Sequence, residues 1–385
     1  MLRKTVKVMG CMLCAGMLLL GAIQATAATI KVGAILAVSG PASFLGGPEL
    51  RSLEMLVERV NAEGLAGDHT IELIVKDSGG SSEKAVSFAK QLIEEERVFA
   101  IIGPSTSGET FKIKKLCNTN ETILISCASA ELIVNPVAPF VFKTAPSDSL
   151  AARKIFMTME EMGIKNVAVL TGNTGFGKAG KQQITAIAPE YGINIVESEV
   201  YDKKATDLSA IVAKIKANGE VEAVINWSIV PAQSIIAKNI RQIDWDVPLF
   251  QSHGFASIKY VKAAGAAAEG IIFPASRLIV AEYLPDGERK NFLMGYINAY
   301  QKRYDEEVST FGGHSYDAMM ILADAIATAG SNTLEVRKAI ENTTGYFGTA
   351  GEFNFSPTDH SGLSIDAFTM VTVKDGTFVP FTLKQ

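Results

Sequence analysis

Gly103-Pro104-Ser105-Thr106-Ser107-Gly108 places three hydroxyl side chains just ahead of a helical segment. Ser107 stands where a helix cap is expected, its oxygen accepting from a first-turn N–H. The same arrangement suits an anion, because first-turn N–H groups and hydroxyls can hold a carboxylate without lysine or arginine. A second polar rim, Ser126-Cys127-Ala128-Ser129-Ala130, ends the next apolar segment. The chemistry implied is non-covalent carboxylate binding. No G-x-S-x-G, H-E-x-x-H or G-x-x-x-x-G-K-[ST] motif is present, and no nucleophile–base or acid pair emerges. Gly172-Asn173-Thr174-Gly175-Phe176-Gly177 is spaced G-x-x-G-x-G, not as the dinucleotide fingerprint, so no nucleotide is expected. His69, His253, His314 and His360 are scattered singly, which predicts surface or loop roles and neither a metal nor a cofactor.

The elements that position these residues come from a chain of 385 residues, 48% hydrophobic and 20% charged. Its formal charge of −5 argues against nucleic acid, which calls for a clustered basic face. Arg3, Lys4 and Lys7, the uncharged stretch from Val8 to Ile23, and Ala25-Thr26-Ala27 read as a secretory leader cut after Ala27. A membrane anchor would need about 20 apolar residues. The mature protein is therefore expected to be exported and soluble. Cys117 and Cys127 fall near opposite ends of a helix–strand unit, roughly 14 Å apart at 1.5 Å per helical residue. A disulfide needs Cα atoms within about 7 Å, so two free buried thiols are expected.

Apolar strands at Ile30 to Val38, Ile71 to Val75, Phe99 to Ile102 and Thr122 to Ser126 alternate with helical segments. The first of these helices is expected from Pro48 to Ala62. The rhythm restarts with strands at Val167 to Leu170, Ile193 to Glu199, Ala223 to Asn226 and Pro248 to Gln251. Alternation of this kind predicts an α/β fold with parallel sheets covered by helices on both faces. Three helical runs follow, Asp286 to Tyr304, Gly313 to Ala329 and Thr333 to Asn342. A hairpin turning at Asp375-Gly376 ends the chain. In such sheets ligands sit beyond the C-terminal strand ends, where both polar rims lie.

Lys31-Val32-Gly33-Ala34, Ser39-Gly40-Pro41-Ala42 and Val60-Asn61-Ala62-Glu63-Gly64 resemble the opening of the type I periplasmic solute-binding proteins. Ile102-Gly103-Pro104, Ile125-Ser126, Val141-Phe142-Lys143-Thr144, Thr174-Gly175-Phe176-Gly177 and Thr310 to Ala318 extend the likeness. It points to the branched-chain amino acid (leucine/isoleucine/valine) receptors of ABC importers. The resemblance implies two Rossmann-like lobes with parallel-type central sheets, joined by a three-crossing hinge, and no catalysis. The N-terminal lobe would take residues 28–143 and 276–364, and the C-terminal lobe 144–275 and 365–385. Crossings would fall near Lys143 to Pro146, Phe273 to Arg277 and Ser361 to Asp366. Ser107 and the loop Ala128, Ser129 and Ala130 match the segments that hold the ligand's charged groups. Phe44 or Leu45, Phe176 and Trp227 match or extend its apolar walls.

One departure bears on the ligand. Where amino-acid receptors carry an acid for the ammonium, this chain has Gln251-Ser252-His253-Gly254-Phe255-Ala256-Ser257. A buried ammonium without a charged partner is costly. Glu131, Asp202 or another carboxylate would have to substitute, or the ligand lacks an amine. His253 would then donate to a carbonyl or hydroxyl, with a pH-sensitive contact near its ordinary pKa of about 6.5. Phe255 would add a further wall. The expectation is an extracytoplasmic, monomeric receptor delivering a branched-chain or related amino acid to an ABC permease. An amine-free aliphatic or aromatic carboxylate is the alternative ligand, and a ligand-sensing module for a signalling partner the alternative role.

Overall fold

The computed structural model describes residues 28–383, so the leader expected over Met1 to Ala27 lies outside the described residues. The first sheet contains β1 (Ala28–Leu36), β2 (His69–Asp77), β3 (Ala100–Ile102), β4 (Ile123–Ser126) and β5 (Val141–Lys143). All are parallel, in the order β2-β1-β3-β4-β5. The second sheet contains β6 (Asn166–Gly172), β7 (Asn194–Tyr201), β8 (Ala223–Trp227), β9 (Leu249–Gln251) and β10 (Ile272–Ala275). Its parallel part runs β10-β9-β8-β6-β7, the same winding as the first sheet. After a small ribbon, β11 (Tyr346–Phe347) and β12 (Glu352–Phe353), the hairpin β13 (Thr369–Lys374) and β14 (Thr377–Pro380) completes the second sheet antiparallel to β10. Asp375 and Gly376 both take positive φ, 52° and 72°, as a two-residue type I′ turn requires.

Period two explains why these strands are apolar throughout. Val32, Ala34 and Leu36 pack on one face of the first sheet, beneath α1 (Ser43–Glu63) and later helices. Ile35, Ile101 and Leu124 pack on the other, beneath α2 (Ser82–Lys90) and α3 (Ser107–Thr119). The second sheet divides in the same way, Ala168 and Leu170 on one face and Val167 and Val169 on the other. Each fully buried Val, Leu or Ile among them contributes about 1.5–3 kcal/mol. Its helices are α4 (Asp148–Glu161), α5 (Gly175–Ile187), α6 (Ser209–Ala217), α7 (Ala232–Gln242) and α8 (Ile258–Ala264). The last helices, α9 (Glu288–Tyr304), α10 (Thr310–Ala329) and α11 (Thr333–Glu341), return to the first lobe, where Tyr300, Leu322 and Ile340 join its core.

The chain passes between the lobes after β5, after β10, and between Leu363 in the first core and Phe368 in the second. The first passage is anchored to the first lobe: the Lys143 N–H donates to His360 C=O at 3.1 Å, and the Thr144 hydroxyl to His314 C=O at 2.7 Å. Cys117 and Cys127 are free and buried, and burial pushes the Cys117 thiol up to about 12.

The helix expected from Pro48 starts a turn earlier, at Ser43, and carries Pro48 inside it. Gly46 permits this start, because a side chain there would overlap the Ala37 backbone. Helix α3 begins at Ser107, with Thr106 rather than Ser107 as its cap. Thr106 accepts from the Glu109 N–H at 3.4 Å and donates to the Glu109 carboxylate at 2.5 Å. Across the cleft, Thr174 caps α5 through the Gly177 N–H at 2.9 Å. The two helix starts touch backbone to backbone. A Cβ on Gly175 would lie 2.6 Å from Gly108 Cα, whereas one on Gly108 would meet Gly175 only at 3.7 Å.

That asymmetry makes the spacing of the lobes testable. Gly175→Ala should hold the lobes apart and give a larger radius of gyration by small-angle scattering. Gly108→Ala should leave the radius unchanged. Equal radii for both variants and the unsubstituted chain would show that this contact does not set the lobe spacing.

Candidate functional site

The C-terminal strand ends of both sheets face a narrow, nearly closed cleft between the lobes, with a cavity of about 20 Å³. That is room for about one water molecule, so a ligand enters only when the lobes part. From the first lobe it is lined by Leu45, Ser105, Ser107, Cys127, Ala128, Ser129, Phe311 and His314, with Ala145 on the first crossing. The second lobe supplies Phe176, Ile229, His253 and Gly254. A wider surface depression around Thr29, Lys31, Phe99 and Thr122 lies at the N-terminal ends of β1 and β3. That is the wrong end of a doubly wound sheet for a ligand.

Ser107 faces the cleft from the first residue of α3, freed for that by the cap at Thr106. Its oxygen accepts the Ala130 N–H at 3.4 Å, which leaves the hydroxyl proton to donate into the cleft. The Ala128 N–H is already given to Ser126 Oγ at 3.1 Å. Ser129 therefore provides the adaptable groups of this loop. Its carbonyl is held by the Asp148 N–H at 3.1 Å and by Lys143 Nζ at 3.4 Å. Ala130 itself is buried behind the wall.

The expected apolar walls divide. Leu45 and Phe176 line the cleft. Phe44 sits one residue along α1 and so points about 100° away. It stacks on Tyr260 of the second lobe, ring centroids 4.6 Å apart, outside the cleft. Trp227 does not reach the cleft either. It lies beneath α5, so close to Gly180 that any side chain there would overlap its indole, and it backs Phe176 at 5.7 Å. Phe255 packs into the second core against Phe273 and Tyr260. Glu131 and Asp202, the acids considered as ammonium partners, do not line the cleft, and Asp202 is exposed.

The histidines correct the expectation of surface roles. His253, His314 and His360 are all buried, and the first two line the cleft. Burial, the neighbouring His314 and the Lys143 ammonium push His253 down to about 3. Burial and Lys143 do the same to His314, against an upward pull from the Cys127 backbone. Both imidazoles are thus neutral at physiological pH, and the pH-sensitive contact expected for His253 is removed. His314, Phe311 and Ile229 were not among the expected site residues, whereas Ser105 belongs to the hydroxyl run before α3. For His314 the available signal was its place one helical turn after the start of α10, on the face shared with Phe311.

No lining side chain is acidic. The carboxyl behind the wall, Glu49, accepts the Ser105 hydroxyl, while Ser105 accepts the Ala37 N–H at 3.0 Å. Burial raises Glu49 to about 8, opposed by the Ser105 bond and reinforced by Glu109, so it is neutral near pH 7. Lys143 is fully buried under the Ser129 loop and bonds Ala145 C=O at 2.7 Å. Burial lowers its pKa to about 8, while Asp148, Glu131 and Asp359 favour its charged form. Asp148, raised by burial to about 6, keeps its charge near pH 7 and partners this ammonium.

A family model described as periplasmic binding protein matches residues 29–377. The chain belongs to the periplasmic binding protein family. Its fold superposes on an extracellular ligand-binding receptor from Rhodopseudomonas palustris HaA2 with TM-score 0.84, at 24% identity, covering 91% of this chain and 99% of that one. The branched-chain amino acid transporter substrate-binding protein LivJ from Streptococcus pneumoniae, solved with isoleucine, gives 0.81 at 25% identity, covering 91% and 97%. A solute-binding protein of an ABC transporter from Rhodopseudomonas palustris BisB5, solved with 3,4-dihydroxybenzoic acid, gives 0.79 at 17%, covering 92% and 96%. Periplasmic binding proteins of this type are non-catalytic extracytoplasmic receptors that pair with the membrane permease of an ABC importer. Among the described residues of this periplasmic binding protein, no group of three His, Cys, Asp or Glu side chains is placed to hold a metal. No described helix is long and apolar enough to cross a membrane.

Glu49 gives this receptor a measurable titration. A carboxyl whose folded pKa is raised stabilises the fold fully below its unfolded pKa, and that contribution is lost as pH rises through the folded value. For Glu49 the window runs from 4.5 to about 8. The melting temperature of Glu49→Gln, minus that of the unsubstituted chain, should therefore increase across this window. A constant difference would show that Glu49 does not change its proton occupancy on folding.

Proposed function

We propose that this receptor closes over a small carboxylate that bears no ammonium group and has an apolar or aromatic body, and delivers it to an ABC permease. The observation carrying this reading is the absence of any acidic side chain from the cleft lining, with Glu49 held neutral behind it. An α-ammonium enclosed there would lack the charged partner that offsets its desolvation. A carboxylate meets the opposite situation. The Ser107 hydroxyl, the Ser129 groups and the start of α3 all favour negative charge. Phe176, Phe311, Leu45 and Ile229 supply the apolar walls.

The fold itself accommodates this class, since the BisB5 protein was solved with 3,4-dihydroxybenzoic acid. Branched-chain amino acids are the second reading, favoured by the isoleucine held in the pneumococcal protein. In this chain that reading requires Glu49 to ionise beside the bound amine.

A thermal-shift screen separates the two, pairing leucine, isoleucine, valine and phenylalanine with their 2-oxo and deaminated acids and with benzoates. Amine-free acids should raise the melting temperature, with hits confirmed by calorimetric titration. Stabilisation by amino acids alone would overturn the assignment. Ser107→Ala should weaken the best hit at least tenfold, since a hydrogen bond to a charged group is worth about 1.5–3 kcal/mol. Undiminished affinity in the folded variant would remove Ser107 from the site.

A further inference from the structure

The second lobe brings very little polarity to the cleft. Of its lining residues, Phe176 and Ile229 are apolar, and the backbone of Gly254 is already engaged. The Gly254 N–H donates to Ser252 Oγ at 3.2 Å, and its carbonyl accepts from Gln233 Nε2 at 3.3 Å. The imidazole of His253 is the one polar side chain left. Three rings fix its position: Phe176 at 5.3 Å, Trp227 at 5.5 Å and Phe368 at 5.4 Å. Both of its nitrogens are buried and have no hydrogen-bond partner. From the first lobe His314 lines the same cleft, and its Nδ1 is likewise buried and unpartnered. The helix carrying it is pinned to the first crossing by the Thr144 hydroxyl.

Three buried imidazole nitrogens left unpaired across a closed cleft are expensive, because each surrenders its water without replacement. A neutral imidazole presents one donor and one acceptor, which a hydroxyl can match on both sides and a carbonyl on one. We propose that His253 and His314 select, by hydrogen bonding from the two lobes, ligands that carry a hydroxyl or carbonyl group in addition to the carboxylate. The inference rests on the carboxylate reading above and assigns what that reading leaves open, the substituent on the ligand's body. Sites built to hydrogen-bond a polar substituent reject the apolar isostere strongly, because rejection then includes the unpaired protein groups.

The test uses matched pairs that differ in this group alone: 3- and 4-hydroxybenzoate against the corresponding methylbenzoates, and 4-methyl-2-oxopentanoate against 4-methylpentanoate. Calorimetric titration of the full mature protein should show at least one oxygenated acid binding ten times more tightly than its partner. His253→Phe keeps the aromatic packing and removes both nitrogens, so the ratio should fall below threefold. His314→Phe should lower it as well, and His253→Gln, which retains a donor and an acceptor, should restore part of it. Reading a ratio cancels any general weakening by a substitution. Equal affinities within every pair, or a ratio undiminished in both phenylalanine variants, would overturn the inference and leave the carboxylate reading standing. If only amino acids bind, the carboxylate reading fails, and threonine against valine and tyrosine against phenylalanine decide this inference by the same ratio.

Discussion

The close approach of Gly175 to the start of α3 is the constraint on which the site depends. Two helix N-termini, one from each lobe, meet there without intervening side chains. Their contact brings the C-terminal strand ends of both sheets close enough to exclude water from the space between. Electrostatic interactions strengthen in such a space, and the ionisation of unpaired groups is suppressed. His253 and His314, which line this space from different lobes, are neutral for this reason.

Lys143 is the exception that keeps its charge, with Asp148 as its partner. It ends β5, where the chain leaves the first lobe, and its ammonium is held by the carbonyls of Ser129 and Ala145. Those two carbonyls are thereby drawn toward the lysine. The positive ends of α3 and α5 leave a cleft suited to negative charge. The same residue abuts the hinge, since its N–H bonds to His360, just ahead of the third passage. Ligand loop and hinge are in this way mechanically one unit.

The interface beyond the cleft is lighter. Phe44 on Tyr260 closes one side, and Lys259–Glu306 and Lys262–Glu307, each 3.5 Å, lie toward the surface. Exposed ion pairs of this kind contribute about 0–1 kcal/mol each. An interface held by one aromatic pair and weak surface charges is compatible with lobes that open and close, as the family's receptors do on ligand binding.

Much of the architecture was legible in the chain because it rests on local pattern. Apolar runs broken by Gly and Pro marked most strands, and the repeated alternation announced two sheets of one plan. Asp375-Gly376 specified its turn through backbone preference alone. The three- and four-residue strands β5 and β10 carried too little pattern to be distinguished from crossings. At the site, the hydroxyl run before α3 and the rim after β4 identified one wall, because helix starts and strand ends are written locally. The opposite wall was not. Whether Leu45 or Phe44 faces the ligand depends on where α1 begins, which the Gly46–Ala37 approach decides. Trp227 reads as a wall until α5 is seen to cover it, and His314 reads as an isolated histidine until the lobes close on it. Sequence determined which groups could bind an anion. Tertiary structure decided which of them share the dry cleft, because lobe closure joins residues far apart in the chain and the loss of water there sets their charge.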